Sequence, residues 1–265
     1  MTFSDWAKES RERIERDGLD GVKPTLVELW YGIRDRFRRI HWLTSNSRTL
    51  MMGNTEVEVQ QRHIGEFDQI RGHHNESWLA EDLTSELGPG DCFWDVGSNI
   101  GLYTLLAASR GADVVAFEPW IENAATIERN LRQNELSARV IPKALSDEEG
   151  PRDFTLDERE TPGAGRGSLL DDWQDGETRT VECVRGDSEV ESGDIPRPSV
   201  VKIDVEGAEL SVLKGLGDLL EDIRLVYCEL HGINDHEVRR LLETRGFVID
   251  ADLDDTGCGV IRARG

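Results

Sequence analysis

Two rhythms of apolar and polar positions divide the chain. Mostly apolar runs at Cys92–Val96, Asp113–Phe117, Ala138–Ile141, Ser199–Val205 and Leu225–Leu230 read as strands buried on both faces. Between them Ile100–Arg110, Ile121–Asn134, Glu209–Leu216 and His236–Glu243 carry apolar residues at helical spacing, as with Ile121, Ala124, Ala125, Ile127 and Leu131. Strands alternating with helices of this length predict βαβ units and a mostly parallel sheet, closed by Phe247–Ala251 and Gly259–Ile261. Upstream, Leu50–Gln60 suits a small hairpin and Ser77–Leu87 a helix. Asp5–Asp17 predicts a charge-rich helix, and Leu26–Leu43 one whose Leu26, Leu29, Trp30, Ile33, Phe37 and Ile40 share a face. Residues 1–45 thus form a helical extension to a domain over 46–265.

Ala144–Pro198 breaks the rhythm. It holds 16 acidic and six basic residues, strand-like pieces at Asp153–Leu156 and Arg179–Arg185, and a loop over Thr161–Ser168 with three glycines. An insertion of this length in a compact sheet reads as antiparallel strands and a mobile loop near a site, a candidate substrate lid.

The run Cys92–Val96 ends in Gly97 and Gly101 and passes into the helix from Ile100, so it predicts a strand, a tight turn and a helix. Such a turn binds ligands, because glycine lets the backbone approach closely and the helix start offers amides. The Gly-x-x-x-Gly spacing lacks the Gly-x-Gly-x-x-Gly of dinucleotide sites. Glu118 ends the next strand, about 20 residues on, where a carboxylate meets a ribose diol.

Three motifs together resemble the FkbM-type methyltransferases, a branch of the class I family that uses S-adenosylmethionine. They are Trp94-Asp-Val-Gly-Ser-Asn-Ile-Gly-Leu-Tyr-Thr104, Ala116-Phe-Glu-Pro119 and Lys202-Ile-Asp-Val-Glu-Gly-Ala-Glu209. The resemblance implies a Rossmann-like α/β sandwich with a seven-stranded sheet, helices on both faces and an antiparallel final strand pair. It also implies that Asp95, Gly97, Gly101 and Glu118 bind the cofactor. Residue chemistry agrees: Asp95 suits the ligand's ammonium, amides around Ser98, Asn99 and Gly101 its carboxylate, and Glu118 its ribose. Asp147, after the third strand, falls where this fold contacts adenine, or is a polar turn.

Methyl transfer from a sulfonium needs alignment and removal of the acceptor's proton. At the ends of the fourth and fifth strands stand Asp204, Glu206, Glu209, Glu229 and His231. His231 is the expected general base, since its ordinary pKa lies near neutrality, with Asp204 and Glu229 orienting it or the acceptor. The alternative is that Asp204, Glu206 and Glu229 hold Mg2+; Glu206 and Glu209 can equally cap helices. No metal is assigned. The reading is an O-methyltransferase acting on a hydroxyl of a sugar, glycolipid or small metabolite. A nicotinamide-dependent oxidoreductase or a non-catalytic binding protein on the same sheet is the alternative.

Composition narrows the partners. A formal charge of −22 over 265 residues, with five lysines among 31 basic residues, argues against nucleic acid. The dispersed acidity suggests adaptation to high salt, where self-repulsion is screened. Residues 1–45 hold nine basic and eight acidic residues, so helix 26–43 can meet an anionic membrane surface, although packing on the protein itself is the favoured reading. No apolar run is long enough to span a membrane and Met1–Asp20 is charged throughout, which points to the cytoplasm. Cys92, Cys183, Cys228 and Cys258 lack metal-site or paired spacing and read as buried free thiols. The adjacent His73 and His74 are expected to flank the cofactor mouth or lie in solvent.

Overall fold

In β3 (Cys92–Val96) every residue is buried, the signature of a central parallel strand covered on both faces. β4 (Asp113–Phe117), β5 (Arg139–Ile141), β10 (Val200–Ile203) and β11 (Leu225–Leu230) join it in one seven-stranded sheet with β12 (Val248–Leu253) and β13 (Gly259–Arg264), in the order β12-β13-β11-β10-β3-β4-β5. β13 runs antiparallel to β11 and β12, and the other neighbours are parallel. This is the Rossmann-like α/β architecture that the motifs imply.

The structure, a computed structural model, describes residues 47–60, 66, 70, 77–156, 167–169, 177–232, 234–253 and 259–265. The helices expected over Asp5–Asp17 and Leu26–Leu43, the His73 and His74 pair, Cys258 and most of the loop expected over Thr161–Ser168 lie outside the described residues. Cys92, Cys183 and Cys228 are buried free thiols. Among the described residues no helix is long and apolar enough to cross a membrane.

The crossover helices are α1 (Ser77–Glu86), α2 (Leu102–Ser109), α3 (Ile121–Gln133), α5 (Glu209–Leu216) and α6 (Asp235–Thr244), with the short α4 (Gly186–Glu191) between β9 and β10. From β3 the chain steps outward through β4 and β5, then returns to place β10 on the other side of β3. That reversal opens a crevice at the carboxyl ends of β3 and β10, where ligands bind in such sheets. The core beneath it includes Trp94, Phe117, Val201, Leu213 and Val226. Each such fully buried side chain contributes about 1.5–3 kcal/mol. Trp94 and Phe117 pack with ring centroids 5.1 Å apart, and the Trp94 Nε1–H donates to the Pro196 carbonyl at 3.2 Å.

The hairpin forms as β1 (Ser47–Met52) and β2 (Thr55–Gln60). Two asparagines of the α3 region dock it. Asn134 Oδ1 accepts from Glu58 N at 2.7 Å while its Nδ2 donates to Glu58 O; Asn130 Oδ1 accepts from Gln60 N, and its Nδ2 donates to Ile100 O, both at 2.9 Å. The hairpin is therefore tied through one buried side chain to the glycine turn.

The insertion folds as a second sheet, β6-β9-β7-β8, from β6 (Ala144–Leu145), β7 (Gly150–Leu156), β8 (Gly167–Ser168) and β9 (Thr178–Val184). β7 pairs antiparallel with β8 and β9 as expected, but β6 runs parallel to β9. The buried pairs Ala144–Leu145 and Cys183–Val184 satisfy each other's backbone there. Helix α4 is unheralded in the sequence because its six residues carry no apolar period. Asp187 in its first turn is held by Arg185 instead.

Candidate active site

The turn after β3 is built on a close approach. Gly97 has φ +79°, and a Cβ there would lie 1.8 Å from the Asp204 carbonyl oxygen, so only glycine lets the β3 and β10 ends meet. Asn99 adopts φ +51° and Glu206 φ +50°, two non-glycine residues in the left-handed region on opposite sides of one crevice.

Glu118 is buried at the tip of β4. Its Oε2 accepts from Asn99 N at 2.8 Å and its Oε1 from Trp120 N at 2.9 Å, with a further bond from the Asn123 side chain. Among the described residues no cation pairs with it. Burial therefore raises its pKa to about 7, against the opposing pull of those donors. Asp95 is also buried, and burial raises its pKa although Lys202 and Thr104 pull it down. Its Oδ2 accepts from the Thr104 hydroxyl at 2.6 Å, while its Oδ1 is buried with no partner.

The facing wall comes from the ends of β10 and β11. Lys202, 4 % exposed, donates from Nζ to Asp204 Oδ2 at 2.9 Å and sits 4.8 Å from the Tyr103 ring centroid. Burial works to raise the Asp204 pKa, but the charge of Lys202, then that of His231, outweighs it and lowers it. His231 Nδ1 lies 2.6 Å from Glu209 Oε1, and its Nε2 is 3.4 Å from Glu206 Oε2 and 3.8 Å from Glu229 Oε1. Burial disfavours the imidazolium, yet the bond to Glu209 and the charges of Glu206 and Asp204 prevail and raise the pKa to about 9. Donor atoms of Asp204, Glu229 and His231 all fall within 4.8 Å of one another.

Between the walls lies a cavity of about 220 Å³. Gly97, Asn99 and Glu118 line it on one side, Asp204, Glu206 and Glu229 on the other, and Phe154 and Leu169 of the insertion contribute an apolar side. Of the expected residues, Asp95, Ser98 and Gly101 stand behind that lining, and His231 reaches the lining acids from the second row. Asp147 is half-buried beside the cavity residues Ala144 and Leu145 but is not itself part of the lining. Its carbonyl accepts from Arg185.

The turn amides are less available than the sequence implies. Ser98 N donates to Phe117 O, Asn99 N to Glu118 and Gly101 N to Ser98 O, so little is left there for a ligand carboxylate. Sequence reasoning missed Asn123, Trp120, Phe154 and Leu169 as lining residues. A polar residue in the first turn of the helix after Glu118 was a readable signal for Asn123. Nothing in the pattern marks Phe154 or Leu169, which reach the cavity only through the insertion's fold.

A sulfonium nucleoside fits what is present. Asp95 Oδ1 and Asn99 Oδ1 are buried acceptors without partners, and Trp120 Nε1 is a buried donor without one. Buried polar atoms left unpaired are costly and rare unless a ligand or water completes them.

Residues 95–249 match the model of the Methyltransferase FkbM domain. The chain is 35% identical over 183 residues to the hexuronic acid methyltransferase AglP of Haloferax volcanii, covering 68% of this chain and 72% of that protein. It is 31% identical over 205 residues to the 31-O-demethyl-FK506 methyltransferase FkbM of Streptomyces tacrolimicus, covering 66% and 79%. A solved methyltransferase FkbM from Methylobacillus flagellatus KT superposes with a TM-score of 0.45 at 15% identity, over 77% of this chain and 55% of that one.

Proposed function

This chain belongs to the FkbM methyltransferase family and is an S-adenosylmethionine-dependent methyltransferase, and on that premise we propose which of its residues hold the donor and which serve the acceptor. Glu118 takes the ribose hydroxyls, Asp95 offers its unpaired oxygen to the ammonium, and Asn99 closes the turn over them. Gly97, Ser98 and Gly101 shape the cradle, and Asp147 flanks the adenine side. The observation that carries this reading is Glu118, a buried carboxylate at the tip of β4 held by two backbone amides and, among the described residues, by no cation. The family membership decides against the nicotinamide-dependent alternative.

Bound there, S-adenosylmethionine supplies a methyl group on a positively charged sulfur. The chain's own task is to hold an acceptor oxygen in line and take its proton. His231 is the proposed base, with Asp204 and Glu229 orienting the acceptor. Because an imidazole accepts a proton only when neutral, activity rises tenfold per pH unit on the acid side and levels near about 9. A His231→Ala variant that keeps full activity contradicts the assignment.

The acceptor we propose is a sugar hydroxyl. The apolar side of Phe154 and Leu169 faces the carboxylates of Asp204, Glu206 and Glu229, a pairing that suits a ring with C–H faces and hydroxyl edges. Those acids repel an anionic acceptor. Transfer from methyl-labelled donor to neutral glycosides and to hexuronate glycosides tests this: label on the neutral set supports it, and label confined to hexuronates overturns it.

One observation favours a second reading. The convergence of Asp204, Glu229 and His231 could hold Mg2+, which would acidify a bound hydroxyl; activity unchanged by a chelator disposes of it. We also propose that the dispersed acidity adapts the chain to high salt. Equal folding in salt-free buffer and at molar salt contradicts that. Contact of residues 26–43 with a membrane is tested by vesicle cosedimentation with and without residues 1–45, where equal binding removes the idea.

A further inference from the structure

Glu209 sits at the first position of α5, where an acid ordinarily faces solvent and complements the helix start. Here its side chain is only 4% exposed. Its Oε1 accepts from Gly207 N at 2.9 Å and lies 2.6 Å from His231 Nδ1, 22 residues away at the end of a different strand. A helix-start role needs the first bond alone. The second ties the start of α5 to the residue just after β11.

A carboxylate can only accept, so this contact places the proton on Nδ1 and fixes the ring. The other nitrogen, Nε2, is thereby directed toward Glu206 and Glu229, both part of the cavity lining. We propose that Glu209 is a positioning residue: it selects the Nδ1–H tautomer of His231 and holds Nε2 toward the acceptor side of the cavity. The inference rests on the reading of His231 as base and adds the group that makes its orientation single. Asp204, Glu206 and Glu229 are the other acids facing this ring, and Lys202 is the cation beside Asp204. Glu209 is the acid bonded to Nδ1.

Glu209→Gln keeps the shape; its amide, turned to donate NH2 to Nδ1, imposes the Nε2–H tautomer and gives up the bond from Gly207 N, so the thermal midpoint should change by no more than a few degrees. With the acceptor that turns over in the glycoside screen, kcat should fall by up to about 10⁴-fold, as when a histidine's orienting carboxylate is neutralised, with KM and the affinity for S-adenosylhomocysteine within about twofold. Glu209→Asp should recover part of the loss. In the full chain labelled with nitrogen-15 histidine, the slowly exchanging Nδ1–H signal, assigned by its loss in His231→Ala, should disappear in Glu209→Gln. That arm needs no acceptor.

Unchanged kcat or an unchanged ring signal in Glu209→Gln overturns the proposal. The double variant separates it from the base reading. If Glu209 acts through His231, adding Glu209→Gln to His231→Ala costs nothing further; an equal loss in that background overturns the positioning role while leaving His231 as base. Full activity of His231→Ala alone overturns the base and with it the positioning role.

Discussion

The two ends of the main sheet handle charge in opposite ways. Where the parallel strands begin, Arg224, Arg262 and Arg264 interlock with Asp82, Glu86, Asp91 and Asp250. Arg264 holds the Glu86 carboxyl below its ordinary pKa, and Arg262 does the same for Asp250. Where those strands end, Asp95, Asp204, Glu206, Glu209 and Glu229 gather around Lys202 and His231 with Glu118 across the cavity, and burial pushes Asp95 and Glu118 upward. A surplus of acids at one end, beside paired acids at the other, is how a stable scaffold carries a site for a positively charged donor.

Mutations can break that contrast, and the heaviest blow falls where the two strand ends touch. Gly97→Ala puts a methyl against the Asp204 carbonyl at a left-handed φ. It should cost about 3 kcal/mol or more, read by urea denaturation, with loss of donor binding.

Glu118→Gln sharpens the contrast because it should separate stability from binding. An acid whose folded pKa is raised from its ordinary value of 4.5 to about 7 binds more protons folded than unfolded between those pH values, so its contribution to stability is lost as pH rises through them. Replacing it relieves that penalty, about 3 kcal/mol at pH 8, but sets an amide NH2 against one of the two backbone N–H donors at a cost of about 1–3 kcal/mol, so the free protein should be unchanged or slightly more stable at pH 8. The same change should weaken S-adenosylmethionine binding about 100-fold by calorimetry. Parallel losses in both would mean Glu118 is structural.

The smallest effect belongs to the paired end. Asp250→Asn removes partners from Arg262 and Arg264 and should cost about 1 kcal/mol, less at high salt. Donor affinity should not change. A binding defect there would show that the two ends are not separable.

The sheet was legible because its strands are mostly apolar: Cys92–Val96, Asp113–Phe117 and Leu225–Leu230 stand at the expected residues. Helix α5 likewise runs over Glu209–Leu216, stopped at Gly217. The turn around Gly97 was legible too, since close approach demands glycine. What the pattern hid is set by tertiary contact. Phe154 and Leu169 look like ordinary insertion residues until the second sheet brings them to the cavity. Glu209 looks like a helix-start acid until β11 delivers His231 to it. The amides of Ser98, Asn99 and Gly101 looked available until the turn consumed them.

The central claim is that the buried carboxylate of Glu118 grips the donor nucleoside, and proton release on binding tests it most directly. Titration calorimetry with S-adenosylhomocysteine at pH 7, in buffers of different ionisation heat, should show about half a proton released per site in the wild type and that release gone, with weakened binding, in Glu118→Gln. Equal affinity and equal proton release in the two proteins would contradict it.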